Sequence, residues 1–482
     1  MPDEPSLTTR QLAAGVHLDA RYREAVIGEL HDHRNRYSAP SPDVDTVALV
    51  TEALGARRTA TVLGGYVALL WFAGFVFTGA LFALYAAACA VLLGAAALAR
   101  PRHWAARTAA GCLRVLGGAA LAGYAVLAGA TAGDAGWLRT TAAFGFPLLT
   151  AGLVGAHRAA VELRLRVIGS PSYRLRRVPS GRHTAELLDR ERTSSVVFHR
   201  PDSPFLGAGP VRESLGLTVE VRGHEGPFAR PPALTRIARA VGNVPGLADS
   251  VEDCFLYPEA VAPPRNTFPR LPHELPAGPR WLRIVSGSRG PHPVTVFVQV
   301  RLDGTFLSLQ QVTCALPPVR EDFAYALGEP PAATGRALVR ALTASPRTAA
   351  ALLTEVAAWP VRRVRRSARA GRRTEAARVS VRELAAAPAL PALAAAEADR
   401  VARTVRLLVL DAVREDLRDQ GLHAPGLGGP AEVRNEQVGD FLIGNSRGAV
   451  AMGDNSRAVT RHTSPGPTTN PDDDSWEDDD LG

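Results

Sequence analysis

The sequence predicts a membrane α+β protein in which about four transmembrane helices are followed by a cytoplasmic mixed α/β domain with an antiparallel sheet, a helical segment and a short C-terminal β-arc repeat. Three observations predict this arrangement. Residues 59–99 contain no charged side chain. Alternating strand-type runs meet at Asp303-Gly304, a dipeptide typical of hairpin turns. A Gly/Asn-rich unit occurs twice between residues 431 and 461.

The composition narrows the class of protein. The chain has 482 residues, too many for one typical domain, and a formal net charge of +8. All 55 basic residues are arginine, which together with abundant Ala, Gly and Pro is typical of a GC-rich bacterium such as an actinomycete. The charge therefore says little about nucleic acid, which is not an expected partner. The four cysteines lack metal-ligand spacing, and the polar N terminus predicts no cleavable signal peptide.

The transmembrane block is predicted over residues 57–166. A bilayer-spanning helix needs about 20 apolar residues, so the uncharged run 59–99 fits a hairpin of two spans that turns near Gly79. A third span is predicted at about 115–132 and a fourth at about 140–157. The alternative is a buried helical hairpin of a soluble protein, which would have to bury all four apolar segments.

Arginine clusters flank the predicted spans on one side only. They precede the first span, separate the second from the third and follow the fourth, whereas the link at 133–138 carries Asp134. Under the positive-inside rule, both termini of this multi-pass protein are expected in the cytoplasm, with the block in a bacterial plasma membrane. No acidic residue lies inside a span, so the block is typical of an anchor and a transporter is disfavoured.

Four further regions are predicted around this block. Residues 1–56 contain two helices on the cytoplasmic side. Residues 170–330 form the mixed α/β domain, because strand-type runs alternate there with turn residues. Residues 331–425 are predicted as the helical segment from their spacing of apolar residues. Beyond the repeat, residues 462–482 are expected to form a disordered acidic tail.

A short motif carries a resemblance to a family. The string SPFLGAG at residues 203–209 follows a strand-type run, and RYREAVIGELHDHRNRYSAPSPDVD precedes the apolar block. These segments resemble a family of uncharacterised streptomycete multi-pass membrane proteins with an SPFxGxG signature. The resemblance implies the membrane architecture and implies no activity. From the residues themselves, the glycine pair is either a turn between strands or a cradle for a phosphate.

An arginine-rich stretch lies at residues 362–373. Beside a membrane anchor, Arg362, Arg363, Arg365 and Arg366 are predicted to contact anionic lipid headgroups, each contributing about 1 kcal/mol near the surface. A solvated linker is the alternative, and the acidic tail is another partner for these arginines. Nucleic acid is not favoured, because the stretch has no interleaved aromatic residues for stacking.

The repeat at residues 431–461 is the most informative segment for function. Each unit combines a short apolar run with a Gly-Asn or Gly-Asp-Asn turn, and copies stacked between chains would pair their backbones and align their asparagines. The segment resembles amyloid signalling motifs of RIP-homotypic and fungal-prion type, and also the head repeats of trimeric autotransporters. Both resemblances imply homotypic β-stacking, and the alternative is a disordered tail. The residues predicted to mediate self-association are Ile443, Gly444, Asn445, Val450, Met452, Gly453, Asp454 and Asn455.

These features predict a non-enzymatic, membrane-anchored scaffold or signalling adaptor. It would form a homo-oligomer, or recruit proteins with similar repeats, through the C-terminal segment, and the lipid bilayer would be its other partner. The alternative is an enzyme or small-ligand sensor with its site at residues 194–330, where Ser203, Asp253 and Cys254 are the candidate residues. No cofactor, metal ligand or catalytic residue is predicted, because no His, Cys or carboxylate cluster has the spacing that such sites need.

Overall fold

The computed structural model describes most of the chain. The predicted repeat (431–461) and acidic tail (462–482) lie outside it. Side chains are described for the same residues except 303, 335–343, 363 and 365–369. The described residues are 5–33, 36–41, 43–99, 104–130, 136–170, 173, 188, 195–200, 203–223, 234–262, 279–287, 290, 292–328, 335–369 and 375–427.

The N-terminal part of the described chain is helical. Its helices are α1 (Leu7–Leu18), α2 (Ala20–Ile27), α3 (Thr46–Thr78), α4 (Ala80–Leu98), α5 (Trp104–Ala130) and α6 (Gly136–Gly169). The four long helices α3 to α6 form a bundle, in which α3 contacts α4 and α6 while α5 contacts α4 and α6. Asp45 caps α3, since its side chain accepts a hydrogen bond from the Ala48 amide.

Three helices of this bundle, α3, α4 and α5, are long and apolar enough to cross a membrane. Gly79, with φ 58°, joins α3 to α4, so the predicted hairpin turn is confirmed. The predicted fourth span lies in α6, which is not among the three and has Pro147 in its interior. Thr, Gly and Pro are interspersed with the apolar residues of α6, which lowers its hydropathy, and the count of four spans stays a prediction.

The α/β domain (residues 195–427) follows the bundle. Its elements are β1 (Val196–His199), β2 (Val211–Glu220), β3 (Arg222–Gly223), α7 (Leu234–Gly242), β4 (Ser250–Pro258), β5 (Arg280–Ser286), β6 (Val294–Asp303), β7 (Phe306–Ala315), α8 (Glu321–Tyr325), α9 (Gly335–Arg369), α10 (Val381–Leu384), α11 (Ala392–Asp419) and β8 (Leu422–His423). The sequence therefore predicted the mixed character of this region correctly.

Six strands form one sheet in the order β1-β4-β5-β6-β7-β2. The prediction of an antiparallel sheet needs correction, because β1 at one edge runs parallel to β4, with Val196 opposite Phe255. The chain between β1 and β4 includes β2, β3 and α7, and such a long connection can return a strand in the same direction. The other strand pairs are antiparallel, and the predicted β6–β7 hairpin turns at Gly304, which has φ 63°.

The two faces of the sheet are covered differently. Helices α7 and α11 cover one face, where Ile284 and Val298 are fully buried in the main core. Burial of apolar surface of this kind contributes about 25 cal/mol per Å². Because side chains alternate along a strand, Trp281 and Phe297 belong to the opposite face and to a smaller cluster. This second face borders the open cleft described below.

Helix α9 connects the α/β domain to the bundle through a direct packing interface. It contacts α3, α4 and α6, and its residues Ala349, Ala350 and Leu352 are buried among bundle side chains. The approach of α9 to α3 is close at Gly64, where an added Cβ would lie 2.5 Å from the Leu352 carbonyl oxygen. Small residues therefore permit the contact. The sequence did not predict this docking.

Candidate functional site

The sheet face opposite the main core borders a cleft of about 440 Å³. A volume of this size is typical of small-molecule sites. One wall is the loop at residues 203–209, and a second wall is the N-terminal segment that includes Asp43. The floor consists of Ser250, Glu252, Arg283, Val285, Thr295 and Phe297, which come from β4, β5 and β6.

The loop 203–209 owes its shape to two glycines. Gly207 has φ 95° and Gly209 has φ 91°, and a Cβ at Gly207 would lie 1.9 Å from the Pro40 carbonyl oxygen. The backbone N–H groups of both glycines donate hydrogen bonds to Oε1 of Glu383, each at 2.9 Å. Two converging backbone donors suit an anion. The anion cradle considered from the sequence is thus occupied by a carboxylate of the same chain, an arrangement we call the Glu383 latch.

Burial shifts the ionisation of both charged residues at the latch. It raises the pKa of Glu383 above its ordinary value, although the N–H groups of the two glycines and the nearby Arg382 oppose that shift. Arg382 is only 2% exposed, and its Nη2 donates to the Pro317 carbonyl oxygen at 2.9 Å. Burial lowers the pKa of Arg382 to about 10. The latch therefore joins the cleft wall to the interior of the domain at α10.

Replacing Glu383 by glutamine is expected to stabilise the protein relative to the wild type as the pH rises from about 5 to about 8. A carboxyl group with a raised folded-state pKa loses stability as the pH rises through that value, whereas glutamine keeps the Oε1 acceptor and does not titrate. The measurement is the apparent Tm of both proteins in detergent across this pH range. A gap that widens in favour of the wild type would contradict the sign of the shift.

The matched control is Glu383→Ala, which removes the acceptor altogether. It leaves the N–H groups of Gly207 and Gly209 without a partner, at a cost of about 1–3 kcal/mol for each buried donor at every pH. Both variants lack the titrating carboxyl, so both are expected to gain on the wild type by the same amount as the pH rises, and the constant difference between the two variants measures the lost hydrogen bonds.

The cleft combines an ion pair at its rim with hydroxyl groups inside. Arg283 Nη2 donates to Glu252 Oε2 at 2.5 Å, and the Glu252 side chain is half exposed. Thr295 and Ser41 also line the cleft and are buried. The Ser41 hydroxyl lies 3.2 Å from the hydroxyl of Ser380, immediately before α10. Polar groups of both charge signs and neutral hydroxyls therefore border one space.

The apolar part of the cleft lining is aromatic and aliphatic. Phe205 packs against Phe297 with ring centroids 4.6 Å apart, and it meets Trp281 edge-on at 5.6 Å. Val285 and Leu256 extend this surface along the floor. Aromatic pairs of this kind contribute about 0.5–1.5 kcal/mol beyond their buried area. The loop is thus fixed by aromatic packing as well as by the latch.

The N-terminal wall of the cleft leads directly into the first bundle helix. Asp43 has φ 61°, a left-handed conformation that no other non-glycine residue adopts in the described part of the chain. Its carbonyl oxygen accepts hydrogen bonds from Ser6 Oγ at 2.5 Å and Thr9 Oγ1 at 3.2 Å. Strain of this type costs about 1–3 kcal/mol and persists only where neighbouring contacts hold it. Asp43 shortly precedes Asp45, the cap of α3.

An ion-pair network ties α9 to the N-terminal helices. Arg23 of α2 pairs with Glu355 of α9 at 3.2 Å, and both side chains are largely buried. Arg362 of α9 pairs with Glu355 at 2.9 Å and with Glu24 at 3.1 Å. Glu24 also lies 3.9 Å from Arg57 of α3. Because a buried charge is costly without its partner, the network favours the docked position of α9.

A second polar cluster joins α1, α3 and α6. Glu52 of α3 accepts hydrogen bonds from Arg164 Nη2 at 2.5 Å and from the Tyr173 hydroxyl at 2.7 Å. His17 Nε2 of α1 lies 3.3 Å from the second oxygen of Glu52. The N-terminal helices are therefore bound to the bundle by contacts that do not involve α9.

The lipid-binding and self-association residues predicted from the sequence are only partly described. Arg362 lies in α9 and is bound by carboxylates, and its contact with lipid stays a prediction. Arg363, Arg365 and Arg366 also lie in α9, but their side chains are outside the described part. The predicted self-association residues, from Ile443 to Asn455, are all outside it as well.

Two candidate residues of the enzyme hypothesis have side chains on opposite faces of the sheet. Asp253 and Cys254 are neighbours on β4, so their side chains face opposite sides of the sheet. Asp253 pairs with Arg280 at 2.7 Å, whereas Cys254 is buried and burial raises the pKa of Cys254 to about 11. A thiol in that state is a poor nucleophile. Among the described residues, no group of three or more His, Cys, Asp or Glu side chains could hold a metal ion.

Sequence analysis missed two charged residues that shape the cleft. Glu383 had a usable signal, because Ser380 lies three positions before it in an S-x-x-E capping-box pattern, and Ser380 does cap α10. Arg283 had a weaker signal, as a charged residue in the apolar run of β5. Neither pattern indicates which distant loop the side chain would contact.

The fold and site together define a bundle of membrane-type helices that carries a mixed α/β domain with a small-molecule-sized cleft. Residues 281–427 match the family model of the AbeC-like domain, which marks an uncharacterised family. The matching region begins in β5 and extends past β8, so it includes Arg283, Glu383 and the whole of α9. No curated protein and no solved structure matches the chain.

Proposed function

We propose that the protein is a non-enzymatic, membrane-anchored signalling adaptor of a bacterial plasma membrane. Helices α3 to α5, with α6 as a fourth span, would hold it in the bilayer with both termini in the cytoplasm. The observation that carries the proposal is the docking of α9 on the bundle, because it holds the α/β domain in a fixed position beside the membrane helices.

A fixed position suits an adaptor because it determines where the C-terminal segment, proposed to bind other chains, begins. Domains joined only by a linker reorient freely, whereas α9 contacts three bundle helices and is held by the Arg23–Glu355 pair. At the other end of the domain, Arg414 Nε donates to the Leu427 carbonyl oxygen at 2.7 Å. The C-terminal segment therefore starts from a defined point on the domain.

The proposed output is self-association through residues 431–461, or recruitment of proteins with similar repeats. Its support is the sequence of the repeat, whose apolar and Gly/Asn positions suit stacking between chains. Lipid contact is proposed for the arginines at the end of α9. Exposed Trp359, Val361 and Val364 on the same helix support that role, because such residues favour the membrane interface beside cationic side chains.

Deleting residues 431–461 is expected to convert the self-associated protein to a monomer while leaving it in the membrane fraction. The described residues that form the bundle and its interface with α9 all precede the deleted segment. The measurement is light scattering coupled to size-exclusion chromatography in mild detergent, with cross-linking in native membranes. Gly453→Pro in the full chain is the point-mutant version, because proline removes a backbone donor needed for stacking. Unchanged oligomers in both variants would contradict the proposed output.

Small-ligand sensing is a second candidate function, and the cleft favours it. An occupant would contact the loop 203–209 and Asp43, which lies shortly before α3. A ligand that binds one arrangement of these two walls more tightly would increase the population of that arrangement. Because the Asp43 wall leads into α3, the change would alter how the α/β domain is arranged relative to the first bundle helix. The sensing and adaptor functions are compatible, because ligand binding and self-association would use different segments.

A further inference from the structure

The charges that line the cleft select against anions. In the described part of the lining, the ionisable residues are Asp43, Glu252 and Arg283, two carboxylates against one guanidinium. The guanidinium already donates to Glu252 at 2.5 Å. An anionic ligand would therefore meet one more negative than positive charge among the described lining residues.

The backbone donors beside the cleft lead to the same conclusion. The N–H groups of Gly207 and Gly209 would be the natural site for a phosphate or carboxylate of a ligand. Both already donate to Glu383 at 2.9 Å. A phosphorylated ligand would have to displace this internal carboxylate, so nucleotides and sugar phosphates do not fit the site.

The remaining lining groups define what does fit. Phe297 and Val285 offer apolar surface for a compact ring or branched alkyl group. Ser250 and Thr295 offer hydroxyls that donate and accept hydrogen bonds, and half-exposed Glu252 offers a carboxylate. Ligand sites are typically apolar with a few such orienting groups.

We infer that the cleft binds a small amphipathic molecule that has an apolar, ring-sized body, a hydroxyl or amino group and no net negative charge. The apolar body lies against Phe297 and Val285, and the polar group contacts Glu252 and the neighbouring hydroxyls. This inference rests on the sensing function proposed above and does not depend on self-association through the repeat.

The test uses three probes that share one phenyl ring: phenethylamine, 2-phenylethanol and phenylacetate. Saturation-transfer NMR is recorded on the full chain in lipid nanodiscs, with empty nanodiscs subtracted to remove partitioning into lipid. We expect phenethylamine and 2-phenylethanol to bind, and phenylacetate to bind about fivefold more weakly than phenethylamine, the effect of one partly exposed charge pair.

Two variants locate the binding. Ser250→Trp places a large side chain on the cleft floor and is expected to abolish the signals of both binding probes. Glu252→Gln removes one negative charge from a half-exposed position, and it is expected to reduce the preference for phenethylamine over phenylacetate to less than about twofold. Thermal melts of both variants establish that the fold is retained.

The possible outcomes distinguish an error in the inferred ligand class from an error in the proposed sensing function. If phenylacetate binds as well as phenethylamine and Ser250→Trp still removes the signals, the ligand class is wrong and sensing by the cleft survives. If no probe gives a signal that either variant changes, the cleft is not a ligand site, and both the inference and the sensing function are overturned. The Glu252→Gln arm decides the question even if Ser250→Trp fails to fold.

Discussion

Replacing Gly64 by valine is expected to lower the free energy of unfolding by about 3 kcal/mol and to loosen α9 from the bundle. A Cβ at this position would lie 2.5 Å from the Leu352 carbonyl oxygen and 2.6 Å from Val356 Cγ2. A backbone oxygen cannot rotate away, so the whole of α9 would have to shift. The measurement is the apparent Tm of the full chain in detergent, together with protease sensitivity of α9.

Gly65→Val is the matched control for this substitution. It makes the same chemical change at the next position of α3, where an added Cβ meets nothing within 4 Å. Its effect is expected to be near zero or slightly stabilising, because valine has a higher helix propensity than glycine. Equal losses of stability in the two variants would show that α3 is no more tightly packed at Gly64 than at Gly65. That result would contradict the docking of α9.

Replacing Gly207 by alanine is expected to be the most damaging single change in the cleft wall, costing about 3 kcal/mol or more. The residue has φ 95°, and a Cβ there would lie 1.9 Å from the Pro40 carbonyl oxygen. Displacing the loop would also break the 2.9 Å hydrogen bond from Gly207 N–H to Glu383. The expected result is a lower apparent Tm and a changed fluorescence of Trp281, which packs against Phe205.

Gly246→Ala is the control that separates strain from steric overlap. Gly246 has φ 73°, but a Cβ there has nothing within 4 Å. This variant therefore carries only the cost of the left-handed conformation, about 1 kcal/mol. If Gly207→Ala costs no more than Gly246→Ala, the contact with Pro40 does not hold the loop over the cleft.

Local signals in the sequence predicted the elements that depend on local geometry. The hairpin of α3 and α4 was predicted from one uncharged run, and it turns at Gly79. The β6–β7 hairpin was predicted from Asp303-Gly304, whose glycine supplies the positive φ that a tight turn needs. In both cases the residues that determine the structure lie next to each other in the chain.

Long-range contacts were not predictable in the same way. The strand β1 is buried at all four of its residues, and a strand without alternating exposure does not indicate whether its neighbour is parallel or antiparallel. The Ala-rich face of α9 suits lipid, the α/β domain or the bundle equally well. The contact between Gly64 and Leu352 is what favours packing of α9 on the bundle. These two residues lie far apart in the sequence, so their contact could not be predicted from local patterns.

The cleft was predicted only as a region. The sequence analysis singled out the loop 203–209 and weighed an anion cradle against a turn, and the structure shows converging N–H groups that hold Glu383. An internal carboxylate could not be inferred from the glycines alone, because the partner lies far along the chain. The lining of the cleft also depends on sheet register, which brings Glu252 opposite Arg283.

The docking of α9 on the bundle is the central claim, and cross-linking α6 to α9 tests it most directly. Arg158 Nη2 donates to Thr348 Oγ1 at 3.0 Å, so cysteines at these two positions should react with a short bismaleimide in native membranes. The protein would lack its native cysteines and carry a protease site within residues 263–278. The account predicts that the two fragments stay linked after cleavage, and that Thr354, exposed on α9, gives no link with position 158. Separation of the fragments in both cases would contradict it.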